Sequence, residues 1–291
     1  MPELPEVEIV KVGLQNLILG KEIAGLYFDW PKSYPNNPGD TKRFVVGAAV
    51  ASITRRGKVL IFDLSSQYSL VVHLKMTGQL VYRGDVNFGA GHPTNSLVGG
   101  LPDRSTRVEI EFYDGSRLFF NDQRKFGWMK LLPTVEVPNI DFLRTIGPEP
   151  LEQDFSFRKF QNQLQTKRNA RIKAVLLDQK IIAGIGNIYA DESLWMAKIH
   201  PLSKVNGIST KRLQLLHQSI IDVLRLSIKK GGSTDRNYVN AEGKKGSYIE
   251  FAKVFRKDGQ PCPRCGRQIK KIRVAGRGTH VCEYCQKPPK L

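Results

Sequence analysis

Cysteine is scarce in this chain of 291 residues: it has four, all between positions 262 and 285. So few cysteines, confined to one segment, are not typical of a disulfide scaffold. The sequence also lacks an apolar run long enough to cross a bilayer, and residues 1–20 lack the apolar core of a signal peptide. These absences predict a cytoplasmic protein with no membrane partner.

Acidic residues are also few, with 27 Asp and Glu against 45 Lys and Arg, a formal net charge of +18. This excess favours a polyanionic partner, through phosphate contacts and counterion release. Basic residues crowd the cysteine segment, namely Arg264, Arg267, Lys270, Lys271, Arg273 and Arg277. A solvated basic face without a ligand is the alternative interpretation. An anionic membrane surface would attract the same charge, but we find no polybasic helix with a large apolar face.

The cysteines form two Cys-x-x-Cys pairs, Cys262 with Cys265 and Cys282 with Cys285. This spacing is typical of a four-thiolate zinc site, and two disulfides are the alternative. Four thiolates complete a tetrahedral shell and leave no position for a substrate. The pattern therefore predicts one structural Zn²⁺, with the chemistry of the protein located elsewhere.

The hydrophobic pattern predicts an α+β protein. After a helix from Pro5 to about Leu19, residues up to about 132 alternate as in an antiparallel β-sandwich, with hairpins at 58–74 and 108–120. Residues 133–150 contain four prolines, which favours a semi-rigid linker. A helical domain is expected over 151–258 and a zinc finger over 259–291. Residues 83–103, rich in glycine, predict a long mobile loop.

The helical domain shows two pieces between Ile172 and Met196, broken by a glycine-bearing turn at 183–187. A later helix carries Leu213, Leu216, Ile220, Val223 and Leu224 on one face and ends before Gly231-Gly232. Two helices separated by such a turn, followed by a third helix and a zinc hairpin, indicate a DNA-docking domain.

The amino terminus, Met1-Pro2-Glu3-Leu4-Pro5-Glu6-Val7-Glu8, suggests a catalytic group. Removal of Met1 would expose the secondary amine of Pro2. An α-amino group titrates near ~8, so more of it is an unprotonated nucleophile at neutral pH than of a lysine. Glu3 could then shuttle protons. An ordinary helix start, in which proline and glutamate are favoured, is the alternative.

Both termini together resemble the formamidopyrimidine-DNA glycosylase family. Interior motifs agree with this resemblance in order: His73-Leu74-Lys75-Met76-Thr77-Gly78, Asp122-Gln123-Arg124-Lys125-Phe126-Gly127, Gly184-Ile185-Gly186-Asn187-Ile188-Tyr189-Ala190-Asp191-Glu192 and Gly276-Arg277-Gly278-Thr279-His280. They look like the family's methionine segment, intercalation loop, helix-two-turns-helix core and finger tip. The resemblance covers the chain from Pro2 to Gln286.

The resemblance implies a bifunctional enzyme that removes oxidised purines from duplex DNA and then cleaves the strand by β- and δ-elimination. Pro2 would be the nucleophile and form a Schiff base, and Glu3 the general acid and base. Glu6 would support the amine, with a plain helix cap as the alternative. Lys58 would face the lesion and a phosphate, unless it is only an exposed strand lysine.

The resemblance also implies a set of DNA contacts. Met76, Arg124 and Phe126 would fill the gap left by a flipped nucleotide, although Met76 and Phe126 could instead be core residues. Asn187 and Arg277 would bind phosphates. His73 and Tyr238 would add phosphate contacts or be structural, and the loop Tyr238–Tyr248 would cap the flipped purine.

Three features depart from the family pattern: Lys75 stands where glycine or arginine is common, residues 105–107 lack a histidine, and the loop at 83–103 is long. An oxidised-pyrimidine enzyme of the endonuclease VIII branch and a non-catalytic zinc-finger DNA-binding protein stay open as alternatives. Duplex DNA is the expected partner of a monomer associated with the nucleoid.

Overall fold

The computed structural model describes residues 1–92, 94–233 and 248–289. The chain divides into two compact units, Met1–Arg144 with Lys230–Ser247 and Thr145–Lys229 with Tyr248–Leu291. Tyr238 and the predicted cap loop up to residue 247 lie outside the described residues.

The first unit begins with helix α1, Leu4–Ile18. Proline in the first turn presets the backbone dihedral angle that a helix requires. The side chains of Leu4, Val7, Val10, Leu14 and Ile18 recur at helical spacing and are fully buried. This face packs against the strands of the unit. The helix predicted from Pro5 to about Leu19 is confirmed.

Two antiparallel sheets form the body of the first unit, with strand orders β1-β7-β8-β5-β6 and β2-β3-β4-β9. The strands are β1 Ile23–Phe28, β2 Val50–Arg56, β3 Val59–Leu64, β4 Tyr68–His73, β5 Gly78–Arg83, β6 Asn87–Gly91, β7 Thr106–Phe112, β8 Arg117–Asp122 and β9 Trp128–Pro133. Alternate residues such as Val108, Ile110 and Phe112 join one core shared by both sheets and α1. The predicted sandwich and both predicted hairpins, β3–β4 and β7–β8, are confirmed.

The stretch 83–103, expected from the sequence to be a long loop, contains regular structure on both sides of position 93. Strand β6 pairs with β5, and a short 3-10 turn follows at Asn95–Leu97. The guanidinium of Arg83 donates to the carbonyl oxygen of Leu97 at 3.0 Å. The glycine content suggested a loop here, but Asn87–Gly91 pairs with β5, and the Arg83 guanidinium satisfies the Leu97 carbonyl oxygen.

Short helical pieces complete the first unit: α2 Pro38–Phe44, a 3-10 turn Thr134–Asn139, and α3 Asp141–Thr145 at the boundary. Val137 is buried with Val59 and Val71 against the outer face of the four-stranded sheet. The proline-rich stretch therefore carries local structure and packing where a linker was expected.

The second unit contains helices α4 Phe157–Gln165, α5 Ile172–Leu177, α6 Asn187–Met196, α7 Thr210–Lys229 and α8 Tyr248–Phe251, and the hairpin β10 Lys270–Val274 with β11 Arg277–Val281. Helices α5 and α6 confirm the two predicted pieces. Helix α7 ends before Gly231 and Gly232, whose φ angles of 76° and 86° favour glycine. Among the residues described, no helix has the length and apolar character to cross a membrane.

Candidate functional site

A single carboxylate organises the amino terminus. Glu6 accepts a hydrogen bond from the backbone N–H of Glu3 at 2.9 Å and another from that of Ser233 at 2.8 Å. Together with the Glu3 side chain it forms a capping box at the start of α1. Pro2 and Glu3 are buried, whereas Met1 is 43% exposed. The cap therefore holds the Pro2–Glu3 segment in place and leaves the preceding residue accessible.

Lys58 lies in the two-residue turn between β2 and β3, where Gly57 has a φ of 58°. Lys58 is only 6% exposed, so the alternative of an exposed strand lysine is wrong. The Arg55 guanidinium reaches the carboxylate of Glu8 at 2.7 Å and the carbonyl oxygen of Gly57 at 2.9 Å. Arg55 thereby ties the first helix to the turn that carries Lys58.

His73 ends β4 and pairs with Val59, the residue after Lys58. Burial, together with the positive charges of Lys75 and Lys58, lowers the pKa of His73 to about 3. The imidazole is therefore neutral at neutral pH. Its Nδ1 accepts the backbone N–H of Lys75 at 3.0 Å, which places the proton on Nε2. His73 thus has one N–H donor of fixed identity.

His92 was missed by the sequence reasoning. Burial lowers the pKa of His92, the positive chain terminus lowers it further, and the Asp122 carboxylate opposes the shift. The lowered pKa favours the neutral form of this imidazole. A lone histidine in a glycine-rich segment gave no signal by which the sequence could have identified it.

The three predicted gap-filling residues lie on two loops of the first unit. Met76 is half-buried in the turn between β4 and β5, and Arg124 and Phe126 are exposed between β8 and β9. Phe126 is 54% exposed, so the alternative that it is a core residue is wrong. The Arg124 guanidinium stacks over the Phe126 ring, with 4.8 Å from its carbon to the ring centroid.

In the second unit the turn between α5 and α6 is held by Gln179. Its side-chain amide donates to the carbonyl oxygen of Ile185 at 2.8 Å and accepts the N–H of Gly184 at 2.9 Å. Asn187 then begins α6, and its side-chain amide donates to the carbonyl oxygen of Gly278 at 3.0 Å. Gly278 follows the exposed Arg277 in β11. The structure therefore brings Asn187 and the finger tip together.

A buried charged cluster, not predicted from the sequence, anchors the hairpin. The Lys173 ammonium, on α5, contacts Asp191 on α6 and the Thr279 hydroxyl on β11, each at 2.6 Å. Asp191 also accepts the backbone N–H of His280 at 2.9 Å. Lys173 and Asp191 have no exposed side-chain surface. Only tertiary contact brings these distant positions together, which is why the sequence did not reveal them.

The four cysteines converge as the spacing predicted: their sulfur atoms all lie within 4.8 Å of one another. Two sulfur pairs are 4.0 Å and 3.5 Å apart, Cys262 to Cys285 and Cys265 to Cys282. Tetrahedral zinc with Zn–S bonds of about 2.3 Å requires sulfurs about 3.8 Å apart. The donor set therefore fits Zn²⁺, and all four cysteines are free rather than in disulfides.

The electrostatics of the thiols also fit a cation. Burial disfavours the thiolate of Cys262, but N–H donors, including the Trp195 indole at 3.4 Å, lower its pKa to about 7. Burial and the neighbouring sulfurs raise the pKa of Cys285 to about 12. Four thiolates in one place therefore require a bound divalent cation, and the cysteines hold a single structural zinc.

Comparison with known proteins gives three family matches. Residues 1–129 match the formamidopyrimidine-DNA glycosylase N-terminal domain, residues 146–238 its H2TH domain, and residues 259–288 the zinc finger found in FPG and IleRS. The formamidopyrimidine-DNA glycosylase of Lactiplantibacillus plantarum is 40% identical over 289 residues, covering 99% of this chain and all of that protein.

Solved structures agree. A mutant of the Lactococcus lactis FPG, in complex with DNA containing Fapy-dG, matches with a TM-score of 0.87 and 36% identity, covering 99% of this chain and all of that one. MutM in complex with DNA containing carbocyclic 8-oxo-G matches with a TM-score of 0.86 and 36% identity, at the same coverage.

A β-sandwich, a helix-two-turns-helix unit and a four-thiolate finger in one chain define a class of DNA base-excision repair enzymes. The chain belongs to the formamidopyrimidine-DNA glycosylase family, and the resemblance noted from its motifs is confirmed. This family comprises bifunctional glycosylases and abasic-site lyases.

Proposed function

We propose that this protein excises 8-oxoguanine and formamidopyrimidines from duplex DNA with the amine of Pro2, and then cleaves the strand at the resulting site. The observation that carries the proposal is the buried Pro2–Glu3 segment held by the Glu6 carboxylate. The relatives bound to Fapy-dG and 8-oxo-G DNA support the choice of substrate.

The reaction begins after Met1 is removed. The Pro2 nitrogen forms a bond to C1′ of the damaged nucleotide while the bond from C1′ to the base breaks. The base leaves with its electron pair and is protonated, and the Pro2 nitrogen gives up its own proton. Opening of the sugar ring, with a proton delivered to O4′, leaves an iminium between Pro2 and C1′, and Glu3 is positioned to supply that proton.

Strand cleavage follows from the iminium, which acidifies the proton on C2′. Its removal expels the 3′ phosphate by β-elimination, and a second elimination expels the 5′ phosphate. Glu3 accepts and returns protons in these steps, and Glu6 holds the Glu3 backbone in place. The buried Lys58 ammonium and the neutral His73 provide N–H donors for the lesion and an adjacent phosphate.

Access to the nucleotide requires flipping, because a base inside a duplex cannot reach a buried amine. Flipping leaves a gap in the stack that costs a few kcal/mol unless it is filled. Met76 and Phe126 supply apolar surface for this gap, and the Arg124 guanidinium supplies donors for the orphaned base. The exposure of Arg124 and Phe126 supports this assignment.

The second unit binds phosphates through Asn187 and Arg277. The hydrogen bond from Asn187 to Gly278, the residue after Arg277, supports this pairing. Tyr238 and the cap loop belong to the same proposal, from the family resemblance alone. The net charge of +18 supports duplex DNA as the partner. A nucleoid-associated place in the cytoplasm and action as a monomer belong to the same proposal.

Borohydride trapping tests this proposal. Protein is mixed with a duplex containing 8-oxoguanine opposite cytosine, and reduction converts the iminium into a stable covalent adduct. We expect the adduct from the processed protein and none from Pro2→Gly or from protein that retains Met1. Pro38→Gly removes a matched proline from the first turn of α2 and should trap as wild type does.

The outcomes separate the alternatives. A duplex with an oxidised pyrimidine that traps more adduct than 8-oxoguanine would favour the endonuclease VIII branch. Tight DNA binding without any adduct, in protein shown by mass spectrometry to begin at Pro2, would make the chain a non-catalytic DNA-binding protein.

A further inference from the structure

Asp122 is buried at the end of β8, with no exposed surface, directly before the loop that carries Arg124 and Phe126. One carboxylate oxygen accepts the backbone N–H groups of Phe126 at 2.8 Å and Gly127 at 2.6 Å. The other accepts the N–H of Arg124 at 3.2 Å. One side chain therefore binds three backbone donors of this loop.

The same carboxylate reaches the other gap-filling loop. The hydroxyl of Thr77, the residue after Met76, donates to the Asp122 oxygen that also receives the Arg124 N–H. The Arg124 N–H lies 3.2 Å from that hydroxyl as well. Asp122 and Thr77 thus join the β4–β5 turn and the β8–β9 loop through hydrogen bonds to a charged acceptor, which are stronger than those between neutral groups.

An arginine on the neighbouring strand β7 holds the backbone of Asp122 in position. The Arg107 guanidinium, 3% exposed, donates to the carbonyl oxygen of Asp122 at 3.1 Å. Arg107 also contacts Asp29 and the carbonyl oxygen of Arg104, so its own position is fixed. On the loop side, a Cβ at position 127 would lie 2.6 Å from the Phe120 ring, so only glycine permits this close approach.

We propose that Asp122 is a positioning residue for base excision: through Thr77 and the backbone of residues 124–127 it holds Met76, Arg124 and Phe126 in the arrangement that enters the DNA stack. The inference rests on the proposed function, because it assumes that these three side chains fill the gap. Asp122 itself contacts no reacting atom. Its contribution is preorganisation, and misplacement of a contact group by about 1 Å costs on the order of 100-fold in rate.

The test compares two substrates. Excision of 8-oxoguanine from a duplex requires flipping and filling, whereas cleavage of an abasic site in single-stranded DNA requires only the amine chemistry. Asp122→Asn replaces an acceptor oxygen with a donor amide, and Thr77→Val removes the hydroxyl without changing any charge. We expect both variants to slow single-turnover duplex excision by about 10- to 100-fold, with single-strand cleavage within about twofold of wild type.

Two controls accompany these variants. Thr77→Ser retains the hydroxyl and should restore most of the duplex rate that Thr77→Val loses. Asp114→Asn changes another turn aspartate of the first unit, which accepts from Ser116 at 2.9 Å, and should leave both rates unchanged. Circular dichroism and thermal melting establish whether each variant is folded. If Asp122→Asn does not fold, the test rests on Thr77→Val, which changes no charge.

The two possible failures are distinguishable with Phe126→Ala. Duplex excision that slows in Phe126→Ala but not in Thr77→Val or Asp122→Asn would overturn the role of Asp122 and leave the proposed function standing. Equal slowing of both reactions in Thr77→Val would also overturn it. An unchanged duplex rate in Phe126→Ala would instead contradict the proposed gap filling.

Discussion

Burial away from water determines the protonation state of His73 in the first unit. Lys58 and His73 are 6% and 8% exposed and lie at adjacent ends of paired strands. A buried imidazole beside two ammonium groups is most stable without its second proton. Near neutral pH, His73 therefore acts as an N–H donor rather than as a cation.

This environment predicts a pH dependence of stability. Because the pKa of His73 falls to about 3 in the folded protein from 6.5, the unfolded chain binds more protons between those values. The free energy of unfolding should therefore fall as pH decreases from 6.5, by at most about 1.4 kcal/mol per unit from this residue. His73→Gln, which has no titrating group in this range, should show a shallower slope.

Denaturant unfolding at several values between pH 7.5 and pH 5 measures these slopes. Above pH 6.5 the contribution of His73 to the free energy of unfolding is constant. The unfolding free energies of wild type and His73→Gln should therefore differ by a fixed amount in that range. Parallel curves for wild type and His73→Gln across the whole range would contradict the assignment.

At the scale of secondary-structure elements, α6 links parts of the second unit that are distant in sequence. Asn187 and Asp191 on this helix both contact β11. Glu192, the next residue, accepts the backbone N–H groups of residues 253–255 at 2.8 to 2.9 Å, and burial raises its pKa. The helix therefore positions the finger with buried carboxylates rather than with apolar side chains alone.

Asp191→Asn should destabilise the second unit strongly. The change leaves the Lys173 ammonium buried without its anionic partner, a loss typically of about 3–5 kcal/mol. Asp154→Asn is the matched control, since its pair with Lys159 is exposed and contributes about 0–1 kcal/mol. Thermal unfolding measures the stability of both variants, and zinc content is a second readout. Equal stabilities of Asp191→Asn and Asp154→Asn would contradict the role of Asp191 in anchoring the hairpin.

At the scale of the whole molecule, charge and the zinc finger point to the same partner. The net charge of +18 implies a large electrostatic component in DNA binding. Arg277 is exposed at the finger tip and forms no salt bridge within the part of the chain that the structure describes. Its contribution to affinity should therefore depend on salt.

Arg277→Ala should weaken binding to damaged and undamaged duplexes alike. It should also reduce the slope of log K against log salt by about 0.9, the value for one phosphate contact. Arg117→Ala, which removes an exposed arginine paired with Glu109 and Glu111, serves as the control and should leave the slope unchanged. Fluorescence anisotropy across a salt series measures the affinity and the slope for each variant. An unaltered slope in Arg277→Ala would show that Arg277 does not contact a phosphate.

The sequence by itself determined what depends on local pattern. Cysteine spacing indicated the zinc site, alternation indicated the β3–β4 and β7–β8 hairpins, and the motifs indicated the family. Each signal is built from short motifs, within which backbone geometry relates spacing to position. The same patterns could not decide whether Lys58 and Phe126 were buried or exposed.

Only the tertiary structure decided the contacts between distant segments. Strand order brings Arg107 and Thr77 into hydrogen-bonding contact with Asp122. Helix packing brings Lys173 into contact with Asp191. Strand β6, Asn87–Gly91, depends likewise on pairing with β5. A polar side chain has the same identity on a surface and in a core, and its role follows from which partners the fold places within hydrogen-bonding distance.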